Sequence, residues 1–163
     1  MRPIYRVLVL FMLVQWTFYV TAQQTAPAAN ASLRHTEVKH LVSSIVQDEF
    51  EIYVALPSNY RSSNSSYPVL YMTDANMFFA AMTQIARAMQ QPGMEELPQF
   101  LLVGIGYRID SLIQWARLRT RDLTPTSVPD PFPTGGAPKF LKFIKDELMP
   151  FIKKNYRTTA DAA

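Results

Sequence analysis

The stretch of residues 67–76, Tyr-Pro-Val-Leu-Tyr-Met-Thr-Asp-Ala-Asn, constrains the fold more than any other part of the chain. Residues 69–72 form a short apolar run of β-forming residues between Pro68 and a polar turn, which is typical of a strand buried on both faces of a parallel sheet. Apolar residues then recur at helical spacing, at Phe78, Met82, Ile85 and Met89. The turn at 73–76 therefore joins a strand to a helix, and ligands bind at such junctions in open α/β sheets.

The elements around this junction predict an α/β fold. A helix over residues 77–90 and a second apolar run over residues 100–106 complete a strand-helix-strand unit, which implies a parallel, right-handed crossover. Upstream, residues 37–46 and 49–56 have strand patterns joined by Gln47-Asp48, which suits an antiparallel pair at a sheet edge. We expect a mostly parallel sheet with an antiparallel N-terminal edge.

Two further segments follow the second central strand. Residues 107–137 show little periodicity and contain four prolines, which indicates either an active-site wall or lid or a wrong assignment of elements; we favour the wall or lid. Pro138 suits the first turn of a helix over 138–154, in which Pro150 should kink the last turn. The apolar face of that helix is formed by Phe140, Leu141, Ile144, Leu148, Phe151 and Ile152.

The N-terminal residues are typical of an exported protein. Residues 1–22 have a positive start, an eight-residue apolar core and a small-residue end, as in a signal peptide. The alternative, an uncleaved membrane anchor, is disfavoured because residues 6–22 are short for a span and include polar residues. We therefore expect a signal peptide (1–22), a flexible leader (23–36) and one domain (37–163) located in the periplasm or outside the cell, with no stable membrane span after cleavage.

Composition excludes several classes of function. Without the two arginines of the signal peptide, 14 basic residues face 13 acidic ones, and no basic stripe remains that would bind nucleic acid. The absence of cysteine excludes disulfides and thiolate metal sites. Gly104-Ile105-Gly106 lacks the third glycine and the helix start of a nucleotide loop. We expect no cofactor and no metal.

Five segments, in this order and spacing, resemble the esterase D-like family of α/β-hydrolases, especially its exported, siderophore-esterase-like members. The similarity spans residues 38–158. Its segments are Tyr53-Val54-Ala55-Leu56-Pro57 with Tyr60; Tyr67-Pro68-Val69-Leu70-Tyr71 with Asp74 and Asn76; Val103-Gly104-Ile105-Gly106-Tyr107; Arg121-Asp122-Leu123-Thr124-Pro125; and Gly135-Gly136-Ala137 leading to Tyr156-Arg157.

The resemblance implies ester hydrolysis by a serine nucleophile, an acidic residue and a histidine, in that order along the chain. In the family, the Gly-x-Ser-x-Gly elbow follows the segment that matches residues 156–158, and no such pattern occurs here. His35 and His40 precede the expected nucleophile, and Ser111 lacks flanking glycines. We therefore expect the N-terminal half of an α/β-hydrolase domain, truncated before the elbow, with no catalytic residue and no activity by itself.

Half of the active site is nevertheless expected in this chain. The resemblance places one backbone donor of the oxyanion hole at Ala75 or Asn76, although Asp74 or Asn76 could also cap the helix. Four charged residues are expected to border the pocket: Asp74, Arg119, Arg121 and Asp122. The last three would either bind an acidic group of the substrate or form ion pairs that pin the loop.

Two functions are compatible with these observations. The first is an exported enzyme that, in its full-length form, hydrolyses a small-molecule carboxylic ester, with siderophore, feruloyl, acetyl and simple acyl esters all open. The second is a non-catalytic protein that docks a partner through the strand at 68–73. Under the truncated fold this strand is an open sheet edge, which predicts self-association and poor solubility.

Overall fold

The computed structural model describes residues 32–91, 93 and 97–159, so the predicted signal peptide and most of the predicted leader lie outside it. Strands and helices follow one another in the order β1 (Thr36–Ser43), β2 (Asp48–Ala55), β3 (Val69–Met72), α1 (Ala75–Met89), β4 (Leu101–Tyr107), α2 (Leu112–Leu123), α3 (Ala137–Phe143), a π-helical turn (Ile144–Leu148) and α4 (Met149–Asn155).

The four strands form one mixed sheet in the order β1-β2-β4-β3. The β1–β2 and β2–β4 pairs are antiparallel, whereas β3 and β4 are parallel with Val69 opposite Leu101. Helix α1 joins β3 to β4, so the predicted parallel crossover unit is present. The α/β class is confirmed, with helices on both faces of the sheet.

The most buried strand is β4 rather than β3. All seven residues of β4 are buried, whereas β3 lies at the sheet edge and Leu70 is 46% exposed. The prediction that β3 is buried on both faces is therefore wrong in the described part of the chain, because α1 packs against β4 and leaves Leu70 partly uncovered on that face of the sheet. Near its start, residues 157–159 approach the free side: Tyr67 N–H donates to Arg157 O at 3.1 Å and Thr159 N–H to Tyr67 O at 2.9 Å.

Helix α1 does not pack on the sheet through the face that the spacing of its apolar residues predicted. Ala75, Phe79 and Thr83 are buried, whereas Phe78 and Ile85 are exposed. A Cβ atom on Gly104 would lie 2.7 Å from the Cβ of Ala75. The helix therefore sits against bare backbone of β4, and Gly104 is required by this close approach.

The larger core lies on the opposite face of the sheet, beneath α3 and α4. Phe50 of β2 stacks on Phe143 of α3 with ring centroids 4.3 Å apart, and Leu148 and Ile152 are fully buried beside them. Leu141, which was predicted on this apolar face, is exposed. The π-helical turn explains the difference, because its wider turn shifts the register between Phe143 and Leu148.

Pro150 lies in the first turn of α4, directly after the π-helical turn. A proline cannot donate to the carbonyl four residues earlier and clashes with it. The expected kink in the last turn is therefore not where the helix is irregular. The irregularity precedes Pro150, as a change from α-helix to π-helix over residues 144–148.

The segment 107–137 is not irregular throughout, since it contains the 12-residue helix α2. Ser111 Oγ accepts a hydrogen bond from Gln114 N–H at 3.2 Å, and Gln114 Oε1 accepts one from Asp110 N–H at 2.9 Å. This arrangement resembles a capping box, whose Ser-x-x-Gln signal is present in the sequence. Helix α2 ends one residue before Thr124, whose extended backbone is expected before Pro125.

The turn between β1 and β2 also differs from the prediction. It spans four residues, 44–47, rather than the pair Gln47-Asp48, and Gln47 has a φ of 61°. Ser43 O accepts a hydrogen bond from Gln47 N–H at 3.0 Å.

Among residues 32–91, 93 and 97–159, no helix has the length and apolarity needed to cross a membrane.

Candidate active site

The carboxyl ends of β3 and β4 meet because the two strands are parallel neighbours. The amide of Asn76, in the first turn of α1, joins them: its Nδ2 donates to Tyr107 O at 2.8 Å and its Oδ1 accepts from Tyr107 N–H at 2.7 Å. Gly106 makes room for this contact, since a Cβ atom there would lie 2.9 Å from Asn76 Oδ1. The start of α1 is thereby fixed to the last residue of β4.

Asp74 immediately precedes α1 in the left-handed conformation, with φ 57° and ψ 34°. Such a conformation is uncommon for a residue other than glycine and persists only where its surroundings enforce it. The backbone carbonyl of Asp74 accepts the N–H groups of Met77 and Phe78 at 3.0 and 3.1 Å. The side chains of Asp74 and Asn76 do not cap the helix, so the alternative that one of them is a side-chain cap is wrong.

The carboxylate of Asp74 is instead held by Arg119 of α2. Arg119 Nε lies 2.9 and 3.0 Å from the two oxygens of Asp74. The Arg119 side chain is 44% exposed and the Asp74 side chain only 13%, and Arg119 Cζ also lies 5.6 Å from the centroid of Trp115. The ion pair therefore fixes the turn from one side while Asn76 fixes it from the other.

The backbone amides of Ala75 and Asn76 open the first turn of α1. N–H groups at this position have no acceptor within the helix, and the helix dipole adds a partial positive charge there. Ala75 is buried and its neighbour Asn76 is partly buried. Two backbone donors at a helix start are suited to binding an oxyanion; their use as oxyanion-hole donors remains a prediction.

Arg121 and Asp122 do not join this group. Asp122 is 1% exposed and accepts two hydrogen bonds from Arg121, at 2.7 and 2.9 Å, while Arg121 Nη1 donates to Asp48 at 2.7 Å. The carbonyl of Arg121 accepts Gly136 N–H at 2.8 Å. These contacts tie α2 to the start of β2 and to the loop before α3, as in the loop-pinning alternative.

The pKa values of this buried network have clear causes. The hydrogen bond to Asp122 is the main reason that the pKa of Arg121 is raised, and the hydrogen bond to Asp48 adds to it. Burial is the main cause of the raised pKa of Tyr107, followed by the charge of Asp122 and a hydrogen bond to it. Tyr107 thus joins the two groups: its backbone is held by Asn76 and its hydroxyl by Asp122.

No hydrogen bond joins a serine to a histidine in the part of the chain that the structure describes. Ser111 Oγ is engaged as the α2 cap, His40 lies on β1 with its Nδ1 3.3 Å from Glu49, and His35 precedes β1. Within the same residues, no cluster of histidine and carboxylate side chains could hold a metal ion. The site consists of positioned donors without a nucleophile.

Sequence reasoning placed Asp74, Asn76 and Arg119 near one another but missed Tyr107 as the residue that links them to Asp122. The signal that could have found this link is the capping box at Ser111, which predicts α2. A helix directly after β4 would bring Arg119 back over the β3–α1 turn.

Comparison with known proteins identifies the architecture around this site. The family model described as Putative esterase matches residues 43–163. Ferri-bacillibactin esterase BesA of Bacillus subtilis (strain 168) is 29% identical over 133 residues, which cover 75% of this chain and 45% of that protein. The siderophore triacetylfusarinine C esterase of Aspergillus fumigatus is 30% identical over 89 residues, covering 55% of this chain and 30% of that protein.

The same similarity appears in three dimensions. The crystal structure of the BES protein from Bacillus cereus matches with a TM-score of 0.71 and 29% identity, covering 83% of this chain and 52% of that one. The chain thus spans about half the length of that structure, and 45% and 30% of the two curated relatives. On the family match and the shared fold, the chain belongs to the Putative esterase family of α/β-hydrolases.

Proposed function

We propose that this chain forms the N-terminal part of an exported carboxylic ester hydrolase and supplies one side of its oxyanion hole. The observation that supports this role is the double fixation of the β3–α1 turn, by Asn76 on Tyr107 and by Arg119 on Asp74. Preorganised donors stabilise the negative charge that develops during acyl transfer, and removing one typically costs about 3 kcal/mol of transition-state stabilisation.

Hydrolysis itself requires groups that these 163 residues do not provide. The sequence contains no Gly-x-Ser-x-Gly elbow, and both of its histidines precede β2. A serine without a positioned base is a weak nucleophile. We therefore expect the 163-residue chain to be inactive by itself and ester hydrolysis to occur only in a protein that also carries the serine, acid and histidine.

Siderophore esters are the first substrate class to test, because two relatives are named as esterases of such molecules. Arg119 is our candidate for binding an acidic group of the ester. Its Nε pairs with Asp74 while the side chain remains 44% exposed, and no hydrogen bond of its terminal nitrogens is present among the described residues, so these nitrogens could meet a ligand. Feruloyl, acetyl and simple acyl esters are the comparison substrates.

The first experiment combines an assay of p-nitrophenyl acetate and butyrate with a serine-reactive fluorophosphonate label, on the purified 163-residue chain. We expect no label and no turnover above the blank. Turnover abolished by the label, with the adduct on a serine such as Ser111, would overturn the assignment of the oxyanion side alone and require a different mechanism.

A second experiment tests the enzyme proposal directly. Sequencing the coding region beyond codon 163 shows whether the reading frame continues into a Gly-x-Ser-x-Gly segment. If it does, the longer protein should hydrolyse the esters and be exported, with residues 1–22 absent from the mature N-terminus by mass spectrometry. A stop codon at this point would instead favour a binding protein.

The alternative function, docking of a partner through residues 68–73, is favoured by the surface beside β3. Leu70 is paired with Leu102 and so lies on the α1 face of the sheet. The buried face of α1 has a flank on each side. One flank, which includes Asn76 and Ala80, adjoins β1 and β2. The exposed α1 stripe, defined as Phe78, Met82 and Ile85, therefore faces the β3 side.

The α1 stripe and the open side of β3 together form an apolar surface next to a strand edge, which is suited to adding a strand and covering it. A partner that supplies both a strand and an apolar cover would bind without any hydrolysis. Pull-down with a tagged chain from its own source, followed by loss of binding in Leu70→Lys, tests this function; a Leu70→Lys variant that retains every partner would argue against it.

A further inference from the structure

A cationic pocket lies at the end of α1 that is remote from the candidate active site. Helix α1 has 15 residues, so its last turn is about 20 Å from Asp74 at 1.5 Å per residue. The pocket has a volume of about 280 Å³ and is lined by Arg34, His35, Ser58, Arg87, Gln90 and Gln91. None of these side chains is acidic. The Nε2 groups of Gln90 and Gln91 already donate to Pro98 O and Arg87 O, so the two arginines are the main groups that could attract an anion.

The two arginines of this pocket have no carboxylate partner in the described part of the chain. Neither Arg34 nor Arg87 belongs to any of the ion pairs there, in contrast to Arg119 and Arg121. Partial burial lowers the pKa of Arg87, which is the expected result of removing water from a guanidinium without supplying an opposite charge. An anion therefore stabilises such a guanidinium more than it stabilises a guanidinium that is exposed to water.

The backbone around the pocket is fixed by its own hydrogen bonds. Arg87 Nη2 donates to the carbonyl of Arg34, and His35 O accepts Leu56 N–H at 2.9 Å. His35 has a φ of 52°, a left-handed conformation that these contacts hold in place. One role of Arg87 is therefore structural, but this role uses one of its five N–H donors.

We propose that this pocket binds a small oxyanion that carries two or more negative charges, such as a phosphate group or a polycarboxylate. Arginine forks match the oxygens of such groups in bidentate geometry. The inference does not depend on ester hydrolysis, because the pocket and the β3–α1 turn share no residue.

The test is equilibrium dialysis of the full chain against radiolabelled inorganic phosphate, with unlabelled citrate and chloride as competitors. We expect saturable binding that citrate displaces and chloride at the same ionic strength does not. Arg34→Gln should weaken phosphate binding about tenfold, the effect expected for loss of a charged hydrogen bond. Arg34 is exposed and its side chain makes no hydrogen bond that the fold needs in the described region, so this variant should remain folded.

Arg117→Gln is the matched control, since Arg117 is an exposed arginine on α2, outside the pocket. Equal loss of binding in both variants, displacement by chloride, or no saturable binding would overturn the proposal.

Discussion

Asn76 shows how one side chain can position a candidate site without taking part in the chemistry. Its amide satisfies both the N–H and the C=O of Tyr107, which are the last backbone groups of β4. A hydroxyl or a carboxylate could replace only one half of this exchange, because neither offers a donor and an acceptor in the same planar arrangement. The orientation of the Ala75 and Asn76 amides therefore depends on the Asn76 side chain.

Asn76→Asp tests this dependence. The carboxylate can still accept from Tyr107 N–H but faces Tyr107 O without a donor, so we expect a loss of about 2 kcal/mol in the free energy of unfolding. Urea denaturation followed by circular dichroism measures it. Asn64→Ala, in the exposed turn before β3, is the control and should change stability by less than about 0.5 kcal/mol; an equal loss in both variants would contradict the role of Asn76.

Asp122 belongs to the structural side of the site. Asp122→Asn removes the buried negative charge while keeping the size of the side chain, so Arg121 retains only Asp48 as an anionic partner. Breaking a buried ion pair from one side is strongly destabilising, and we expect about 3 kcal/mol here because Arg121 is partly exposed. Thermal unfolding provides the measurement, and an Asp122→Asn chain as stable as the parent would refute this account.

At the scale of elements, the unusual feature is a sheet whose parallel edge is open in the described part of the chain. Among the residues that the structure describes, 157–159 pair with Tyr67, just before β3, on that side, and the residues of the α1 stripe are exposed. Native proteins protect such edges with charges, bulges or covering segments. None of these protects Leu70, which explains why we expect the chain to self-associate.

Leu70→Lys should reduce this self-association, because a charge on an edge strand opposes pairing between chains. Light scattering coupled to size-exclusion chromatography, over a range of protein concentrations, measures the change in mean mass. Val42→Lys introduces the same charge at an exposed position of β1, the opposite edge of the sheet. A parent chain that is monomeric at high concentration, or equal effects of the two lysines, would refute association through β3.

At the scale of the whole molecule, Glu147 ties together elements far apart in the sequence. Its carboxylate accepts Ser43 Oγ–H at 2.5 Å, Ser44 N–H at 2.9 Å and Ser44 Oγ–H at 2.5 Å. The π-helical turn before α4 is thus bound to the turn between β1 and β2. Desolvation alone would raise the pKa of Glu147, but the hydrogen bonds from Ser43, Ser44 and Ile45 outweigh it and lower the pKa.

This lowered pKa predicts a pH-dependent contribution to stability. Because the folded chain binds the Glu147 proton less tightly than the unfolded chain, the stabilisation is present above the unfolded pKa of about 4.3 and is lost as the pH falls through the folded value. Glu147→Gln should be less stable than the parent chain at pH 7, and the difference should shrink towards pH 3. Asp110→Asn, at an exposed position whose carboxylate forms no ion pair in the described region, is the control and should show no such convergence.

The sequence by itself determined the α/β class, the family and the order of the elements at the candidate site. Strand patterns at 69–72 and 100–106 with a helix between them imply a parallel pair, and the carboxyl ends of parallel strands lie together whatever surrounds them. Asp74, Asn76 and Arg119 could therefore be assigned to one region, because short-range hydrophobic patterns and chain connectivity suffice to place them there.

Only the tertiary structure decided which faces and partners these residues use. The apolar periodicity of α1 pointed to Phe78, yet Phe79 is buried because Gly104 lets the helix approach β4 on that side. Arg119 pairs with Asp74 whereas Arg121 pairs with Asp122 and Asp48, a division that residue types alone cannot give. Such choices depend on packing between segments distant in sequence, and local patterns carry no information about which of two suitable surfaces meets a neighbour.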